Sequence, residues 1–308
     1  MSVTEAPAAI AEKNDASAVE TPLRRFVSAY CESKLAVGAA LFLLVLILFA
    51  AFAPLIAPQN PYDLAQVDVL DSRLPPGEVG FSGMTYWLGS DGAGRDLLSA
   101  MLYGLRISLS VGFLSGLIAM AIGAAIGLIA AYVGGRVDSL IMRIVDLQLS
   151  FPAILVALML IAVLGKGVDK IIIALVTVQW AYYARTVRGS ALVESQKEYV
   201  EAARCLGLSH VRILFRHILP NCLPPLIVVA TVQAAHAIAL EATLSFLGVG
   251  LPQTEPSLGL LISNGFEYVL SGKYWISTFP GIALLVTIVT INLVGDQLRD
   301  VLNPRLAR

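Results

Sequence analysis

Several polar side chains of this sequence lie inside long apolar stretches, where polar groups are costly to keep. Asp146, Gln233 and Glu241 must therefore face protein or water rather than hydrocarbon. At about 100° per residue, Gln233 and Glu241 fall within roughly 80° of each other on one helix. Such groups can line a passage for a polar solute, or they can satisfy helix ends and neighbouring helices. The sequence leaves both interpretations open.

Enzymatic chemistry has no visible carrier in this sequence. The Gly-Lys pairs at 165–166 and 272–273 lack both the earlier glycine and the following hydroxyl of a phosphate-binding loop. No G-x-S-x-G or H-E-x-x-H motif occurs. The 3 cysteines and 3 histidines are not spaced as zinc ligands. We therefore expect no catalytic residue, no cofactor site and no metal site on this chain.

Composition indicates which kind of scaffold must position the polar groups. The chain has 308 residues, of which 57% are hydrophobic and only 14% are charged. These values are typical of a membrane protein rather than of two soluble domains. The net charge of -1 gives no basic excess for a phosphate backbone, so we expect no nucleic-acid partner. The predicted fold class is an all-α integral membrane protein.

Six segments are long and apolar enough to cross a bilayer as helices, since a core of roughly 30 Å needs about 20 residues. The fourth is the weakest, because it is short and carries Gln179. Aromatic residues 180, 182 and 183 place its end at a membrane interface. The predicted spans are 35–57, 107–133, 141–164, 171–187, 223–247 and 278–294.

The distribution of basic residues predicts the orientation of these spans. Fifteen Lys and Arg residues fall on the side of the N-terminus and six on the other side, together the 21 of the chain. The side richer in Lys and Arg is normally cytoplasmic. We therefore predict that both termini are cytoplasmic.

The segments between spans divide the chain further. Residues 1–34 are predicted to be a cytoplasmic N-terminal tail, largely disordered because its start lacks apolar periodicity. Residues 35–308 form the six-helix domain. Within it, 58–106 is predicted to be an extracytoplasmic segment and 188–222 a cytoplasmic one.

Small residues recur one turn apart in the second predicted span. Gly112 and Gly116 form one such pair, and Gly123 and Gly127 form another. Glycines at this spacing let a neighbouring helix approach closely. The pattern predicts tight helix packing, with a partner on this chain or on another.

The cytoplasmic segment reads as helix, turn and helix. Strong helix formers precede Gly207, a residue that can take the left-handed conformation at a helix end. Ser209 can cap a second helix, whose apolar positions recur at three and four residues. Prolines 220, 224 and 225 are predicted to break it before the fifth span. The helix pair could lie on the lipid surface or present its turn to a soluble partner.

At this point the sequence resembles the permease subunits of bacterial ABC importers. Their cytoplasmic signature is E-A-A, three residues, G, nine residues and I-x-L-P, and His217 stands here at the isoleucine position. The matching residues are Glu201, Ala202, Ala203, Gly207, Leu219 and Pro220. In that family this loop forms a coupling helix that docks on an ATPase subunit, and the resemblance implies the same role for residues 199–210.

Further stretches are similar to the C-type permease subunit of dipeptide, oligopeptide and nickel importers. They run from about residue 34 to residue 306. They include Trp87, Asp91, Arg95 and Asp96 before the second span, Asp138 and Asp146 around the third, Glu241 to Gly248 in the fifth, and Asn303-Pro304-Arg305-Leu306 at the end. The resemblance implies a subunit of the bacterial inner membrane that alternates between inward-open and outward-open states.

The resemblance also implies partners. A B-type permease subunit would complete the pathway, and two ATP-binding cassette subunits would hold the ATP and Mg²⁺. An extracytoplasmic binding protein would deliver the cargo, and residues 58–106, with Trp87, Asp91, Arg95 and Asp96, are its expected dock. That segment could instead only seal the helix bundle.

The cargo remains open among related solutes. Di- and oligopeptides come first, followed by nickel or its chelates, glutathione or another peptide-like solute. A stand-alone channel or secondary transporter is a distant alternative, because the cytoplasmic helix pair would then lack a purpose.

Overall fold

A computed structural model describes residues 22–63, 65–81 and 83–302 of the chain. It is mostly helical over these residues. The first half contains α1 (Pro22–Cys31), α2 (Lys34–Ala51), α3 (Ala53–Ile56), the antiparallel strands β1 (Glu78–Val79) and β2 (Thr85–Tyr86), α4 (Leu97–Val133), α5 (Gly135–Ser150) and α6 (Ala153–Leu164). The second half contains α7 (Val168–Glu194), α8 (Glu198–Cys205), α9 (His210–Arg212), the π-helical segment Ile213–Ile218, α10 (Leu219–Phe246), α11 (Leu258–Phe266) and α12 (Trp275–Leu302).

Four helices are long and apolar enough to cross a membrane: α2, α4, α12 and the continuous helix His210–Phe246. They contain or overlap the first, second, sixth and fifth predicted spans. The bent pair formed by α5 and α6 raises the number of candidates to five. Within the described residues the structure therefore has four or five candidate spans, where the sequence predicts six.

The third predicted span, 141–164, is not one helix. It is divided into α5 and α6, which meet at an angle of 91°. Phe151 is extended, with φ −87° and ψ 141°, as expected for a residue that precedes a proline. Pro152 has no N–H to continue the helical bonding and instead begins α6. The apolar run passes through the bend, which is why composition alone hides it.

Helix α7 contains the fourth predicted span, 171–187, but is not among the helices apolar enough to cross. It carries Gln179, Arg185 and Arg188. Its most extensive packing is against α4, and many of its side chains are buried. A helix enclosed by protein tolerates polar residues that a lipid-facing helix would not.

The prolines after the cytoplasmic segment do not break the helix, contrary to the sequence prediction. The helix is continuous from His210 to Phe246, and Pro224 and Pro225 lie inside α10. A π-helical turn precedes these prolines, in which the Leu219 N–H donates to the carbonyl of Leu214, five residues back. The Asn221 side chain also donates to the His217 carbonyl, at 2.7 Å.

The glycine pairs of α4 pack against helices of this same chain. A Cβ at Gly123 would collide with the Trp180 carbonyl, and one at Gly127 with the Ala184 carbonyl, both on α7. A Cβ at Gly112 would lie 2.6 Å from the Ile238 side chain on α10. The prediction of close packing is therefore confirmed, with α7 and α10 as the partners.

Two apolar clusters fill the interior. One, toward the cytoplasmic segment, joins α4, α7, α8 and α10 through Leu128, Tyr183, Val200, Ile213 and Leu226. The other joins the opposite halves of α4, α7 and α10 with α6.

Both ends of the chain extend beyond the described residues. Most of the tail predicted over 1–34 lies outside the described residues, and its described part contains helix α1. The motif Asn303-Pro304-Arg305-Leu306 also lies outside the described residues.

Candidate functional site

The segment 188–222, which the sequence predicts to be cytoplasmic, contains the predicted turn between two helical stretches. α8 ends before Gly207, whose φ of +69° is the left-handed conformation that favours glycine. The Gly207 N–H donates to the Arg204 carbonyl at 3.0 Å, and the Leu208 N–H donates to the Ala203 carbonyl at 3.2 Å. The predicted side-chain cap by Ser209 is not made, although its backbone is extended there.

The signature residues fall into two groups by exposure. Glu201, Ala202 and Gly207 are exposed at the end of the molecule. Ala203 is buried, and Leu219 is half-buried against the same apolar cluster. Pro220 is exposed at the start of α10. Ala203 and Leu219 therefore anchor the segment in the apolar cluster, whereas Glu201, Ala202, Gly207 and Pro220 remain exposed.

Tyr132 at the end of α4 contacts this turn. Its hydroxyl contacts Nδ1 of His210, and the two rings meet edge to face with centroids 5.5 Å apart. The Arg204 guanidinium carbon lies 5.6 Å from the centre of the same ring. The sequence analysis did not identify Tyr132, because its partners are more than 70 residues away.

Tyr199 ties α8 to both neighbouring helices. Its hydroxyl donates to Glu194 at the end of α7, at 2.8 Å, and accepts from Asn221 of α10, at 3.1 Å. Burial, with the hydrogen bond to Glu194, raises the pKa of Tyr199 to about 12. The phenol is therefore a neutral donor at physiological pH.

Glu241 is enclosed by protein. Its carboxyl oxygens accept hydrogen bonds from Ser108 of α4, at 2.9 Å, and from Ser245, at 2.8 Å. Gln233 is also buried, at 5% exposure. In this conformation both side chains lie inside the helix bundle, so neither touches an open passage.

Asp146 lies in a different environment, on the surface of α5. It pairs with Arg185 of α7, and the two side chains are 67% and 53% exposed. One turn further along α7, Arg188 donates two hydrogen bonds to Asp138, at 2.5 and 2.6 Å. Of the three polar residues singled out in the spans, only Asp146 is open to a solute.

The segment 58–106, the predicted outer segment, is held together by buried charges. Arg95 binds Asp91 at 2.7 Å, and both are nearly inaccessible. Asp96 caps α4 by accepting from the Ser99 N–H and hydroxyl, at 2.7 and 2.6 Å. Burial raises the pKa of the Asp96 carboxyl, and the hydrogen bonds from Ser99 oppose that rise.

More distant polar contacts complete the outer segment. Gln59 accepts from the Asp96 N–H at 2.7 Å, and its own N–H donates to the Ser99 hydroxyl at 3.1 Å. Tyr86 donates to Asp71 at 3.1 Å. These bonds fasten the segment to the start of α4.

The residues expected to dock a binding protein therefore differ in exposure. Asp91, Arg95 and Asp96 are buried and build the segment, whereas Trp87 is 68% exposed. Other apolar side chains are exposed on the same segment, which sequence reasoning did not single out: Val69, Leu70, Val79 and Phe81.

Family comparisons agree with this architecture. Residues 123–308 match the family described as the binding-protein-dependent transport system inner membrane component. Residues 21–76 match the N-terminal transmembrane domain of oligopeptide transport permease C.

Curated relatives match over most of their length. The dipeptide transport system permease protein DppC of Escherichia coli is 40% identical over 93% of this chain and 94% of its own. The di/tripeptide transport system permease protein DppC of Pseudomonas aeruginosa is 36% identical over 93% of both chains. A putative peptide transport system permease protein of Brucella suis is 43% identical over 85% of this chain and 86% of its own.

A solved structure shares the fold. The MetNI methionine ABC transporter in an inward-facing conformation matches with a TM-score of 0.55 and 21% identity, over 67% of this chain and 98% of that one. The matched family covers the helices that carry the turn at Gly207 and the Glu241 site. The chain therefore belongs to the binding-protein-dependent transport system inner membrane components, and it is a multi-pass permease subunit of an ABC importer.

Proposed function

We propose that this subunit forms half of a translocation pathway for di- and oligopeptides and couples it to separate ATPase subunits through residues 199–210. The observation that carries the proposal is the exposed turn of Glu201, Ala202 and Gly207 on a buried anchor. An exposed turn can be gripped by a partner, and a buried anchor passes the force to the helices behind it.

The path of that force runs through named contacts. Val200 and Ala203 pack against the cluster that includes Leu128 of α4. Tyr132 joins the same helix to the turn. A displacement of the turn by an ATPase therefore acts directly on α4, which continues to the outer segment.

In this proposal the chain crosses the membrane six times, and both termini are cytoplasmic. The bent pair α5 and α6 would be the third span and α7 the fourth, in addition to the four apolar helices. The excess of Lys and Arg on the side of residues 199–210 supports this orientation.

The partners follow from the same division of labour. A B-type permease subunit would complete the pathway, and two ATP-binding subunits would bind the ATP and Mg²⁺, for which this chain shows no motif. The exposed apolar side chains around Trp87 would contact an extracytoplasmic binding protein. The printed functions of the relatives favour peptides as cargo over nickel or glutathione.

Substitutions in the turn test the coupling role. Gly207→Pro cannot adopt a φ of +69°, and Glu201→Lys reverses an exposed charge. We expect each variant complex to assemble but to lose most peptide uptake while retaining ATPase activity. The measurements are uptake in cells lacking the native gene, and co-purification of the ATPase subunits.

A matched control separates coupling from folding. Gly189→Pro would break α7 and shows the effect of a folding defect. In Gly189→Ala the added Cβ meets no atom within 4 Å, so this variant should leave uptake intact. Normal uptake by either turn variant would contradict the coupling role.

A further inference from the structure

Helix α5 has three distinct faces, of which only one is packed. At about 100° per residue, Val145, Ile141 and Leu149 fall within one sector and meet α7 and its neighbours. Val137, Leu140, Ile144 and Leu147 form a second, exposed apolar sector. The polar stripe, Ser139, Arg143, Asp146 and Ser150, forms a third, also exposed, within about 60° of helix surface.

The depth of α5 follows from its contacts with α7. Asp138 binds Arg188 at one end, and the Gln148 amide donates to the Thr177 carbonyl at the other, at 3.2 Å. α7 then leads directly into α8 and the cytoplasmic turn. The polar stripe therefore runs along the half of the bundle nearest the ATPase side.

The two exposed sectors need different surroundings. An apolar sector of this kind can face lipid or another apolar helix. A stripe that carries Arg143 and Asp146 cannot face hydrocarbon, because charged side chains there are costly. Water or a polar partner must cover it.

The stripe has the charges and the room for a small zwitterion. An open cleft of about 560 Å³ is lined by the stripe together with Met142 and Leu147. Arg185 of α7 reaches Asp146 at its edge. The cleft thus holds the exposed side chains of Arg143 and Asp146, and the exposed Arg185 pairs with Asp146. Guanidinium groups bind carboxylates in a forked geometry, and a carboxylate binds an ammonium group.

We propose that the polar stripe lines a water-filled passage on the cytoplasmic half of the pathway and binds both charged ends of a short peptide in transit. Arg143 and Arg185 take the peptide carboxylate, and Asp146 takes its ammonium group. The binding step rests on the proposed peptide-import function, whereas the lining of the passage does not.

Cysteine accessibility tests the lining. Ser139→Cys and Ser150→Cys are introduced into the full transporter after Cys31→Ser and Cys205→Ser remove the exposed native thiols. A charged, membrane-impermeant methanethiosulfonate is applied to inside-out vesicles. We expect both stripe positions to react at least tenfold faster than Leu140→Cys and Ile144→Cys on the apolar sector. Equally slow reaction at all four positions would mean that the second permease subunit covers the stripe, and would overturn the lining.

Protection by peptide tests the binding. In vesicles without binding protein, free dialanine should slow the modification of Ser139→Cys at least threefold. The N-acetylated, C-amidated dialanine should not, and Asp146→Asn should abolish the protection. Fast modification that neither peptide slows would overturn binding of the termini.

The two proposals fail in different ways. Fast modification of the stripe in a transporter that imports no peptide would refute peptide cargo and leave the lining in place. Slow modification in a transporter that imports peptides would refute the lining alone.

Discussion

Charged residues serve opposite purposes in the outer segment and along α5. In the outer segment, Asp91 and Arg95 form a pair with side chains only 1% and 8% exposed. On α5, Asp146 and Arg185 form a pair that is mostly exposed. The same residue types therefore build structure in one region and remain available to solutes in the other. Burial distinguishes the two roles.

The largest effect should come from breaking the buried pair. Asp91→Ala leaves the Arg95 guanidinium without its carboxylate, and also removes the acceptor for the Ala93 and Arg95 N–H groups. Removing one partner of a buried pair costs about 3–5 kcal/mol. We expect a much lower unfolding temperature of the purified complex, and rapid proteolysis of the outer segment in spheroplasts. Cleavage at the native rate would show that the pair does not hold the segment.

The next effect concerns the close packing of α4 against α7. Helix α4 begins in the outer segment, and α7 packs against α5. A Cβ at Gly127 collides with the Ala184 backbone, which cannot move as a flexible side chain could. Overpacking of this kind costs about 1–3 kcal/mol, so Gly127→Ala should lower the unfolding temperature. Gly189→Ala is the matched control, because its Cβ meets nothing within 4 Å. Equal stability of the two variants would argue against a tight α4–α7 contact.

A smaller effect is expected where the end of α4 meets the turn near Gly207. Tyr132→Ala removes the contact with His210 and the cation–π contact with Arg204, each of about 1 kcal/mol. Uptake per ATP hydrolysed should fall several-fold. Tyr132→Phe keeps the ring and should retain an intermediate ratio. An unchanged ratio in Tyr132→Ala would remove this residue from the coupling path.

The smallest effect on stability should follow from breaking the exposed ion pair of Asp146 and Arg185. An exposed ion pair contributes about 0–1 kcal/mol, so Asp146→Asn should leave the unfolding temperature within a few degrees of the native value. Thermal unfolding of the purified complex measures this directly. A loss as large as that of Asp91→Ala would mean that burial does not separate the two regions.

Part of this architecture can be predicted from short stretches of the sequence. The apolar runs of α2, α4, α10 and α12 are long enough to be predicted from composition. Gly207 marks the end of α8 because only a local backbone conformation is involved. The glycine pairs likewise predict close packing, although not their partners on α7 and α10.

Other features depend on distant parts of the chain. The bend at Pro152 interrupts an apolar run without changing its composition, so it is invisible to a hydropathy window. Pro224 and Pro225 lie inside a helix that continues to Phe246, although their residue type alone predicts a break. Arg95 is enclosed partly by the carbonyl of Gln253, more than 150 residues away. Its burial, and thus its structural role, could not be read from its own neighbourhood.

The length of α4 has a mechanical consequence. Its 37 residues span about 55 Å, well beyond the roughly 30 Å of hydrocarbon. About nine residues separate Gly123 from Tyr132, against some 24 between Gly123 and Ser99. A rocking motion pivoted at the glycine contact would move the far end roughly two to three times as far as the near end, and in the opposite direction. A small displacement at the Tyr132 end of α4 would therefore become a larger displacement at the Ser99 end.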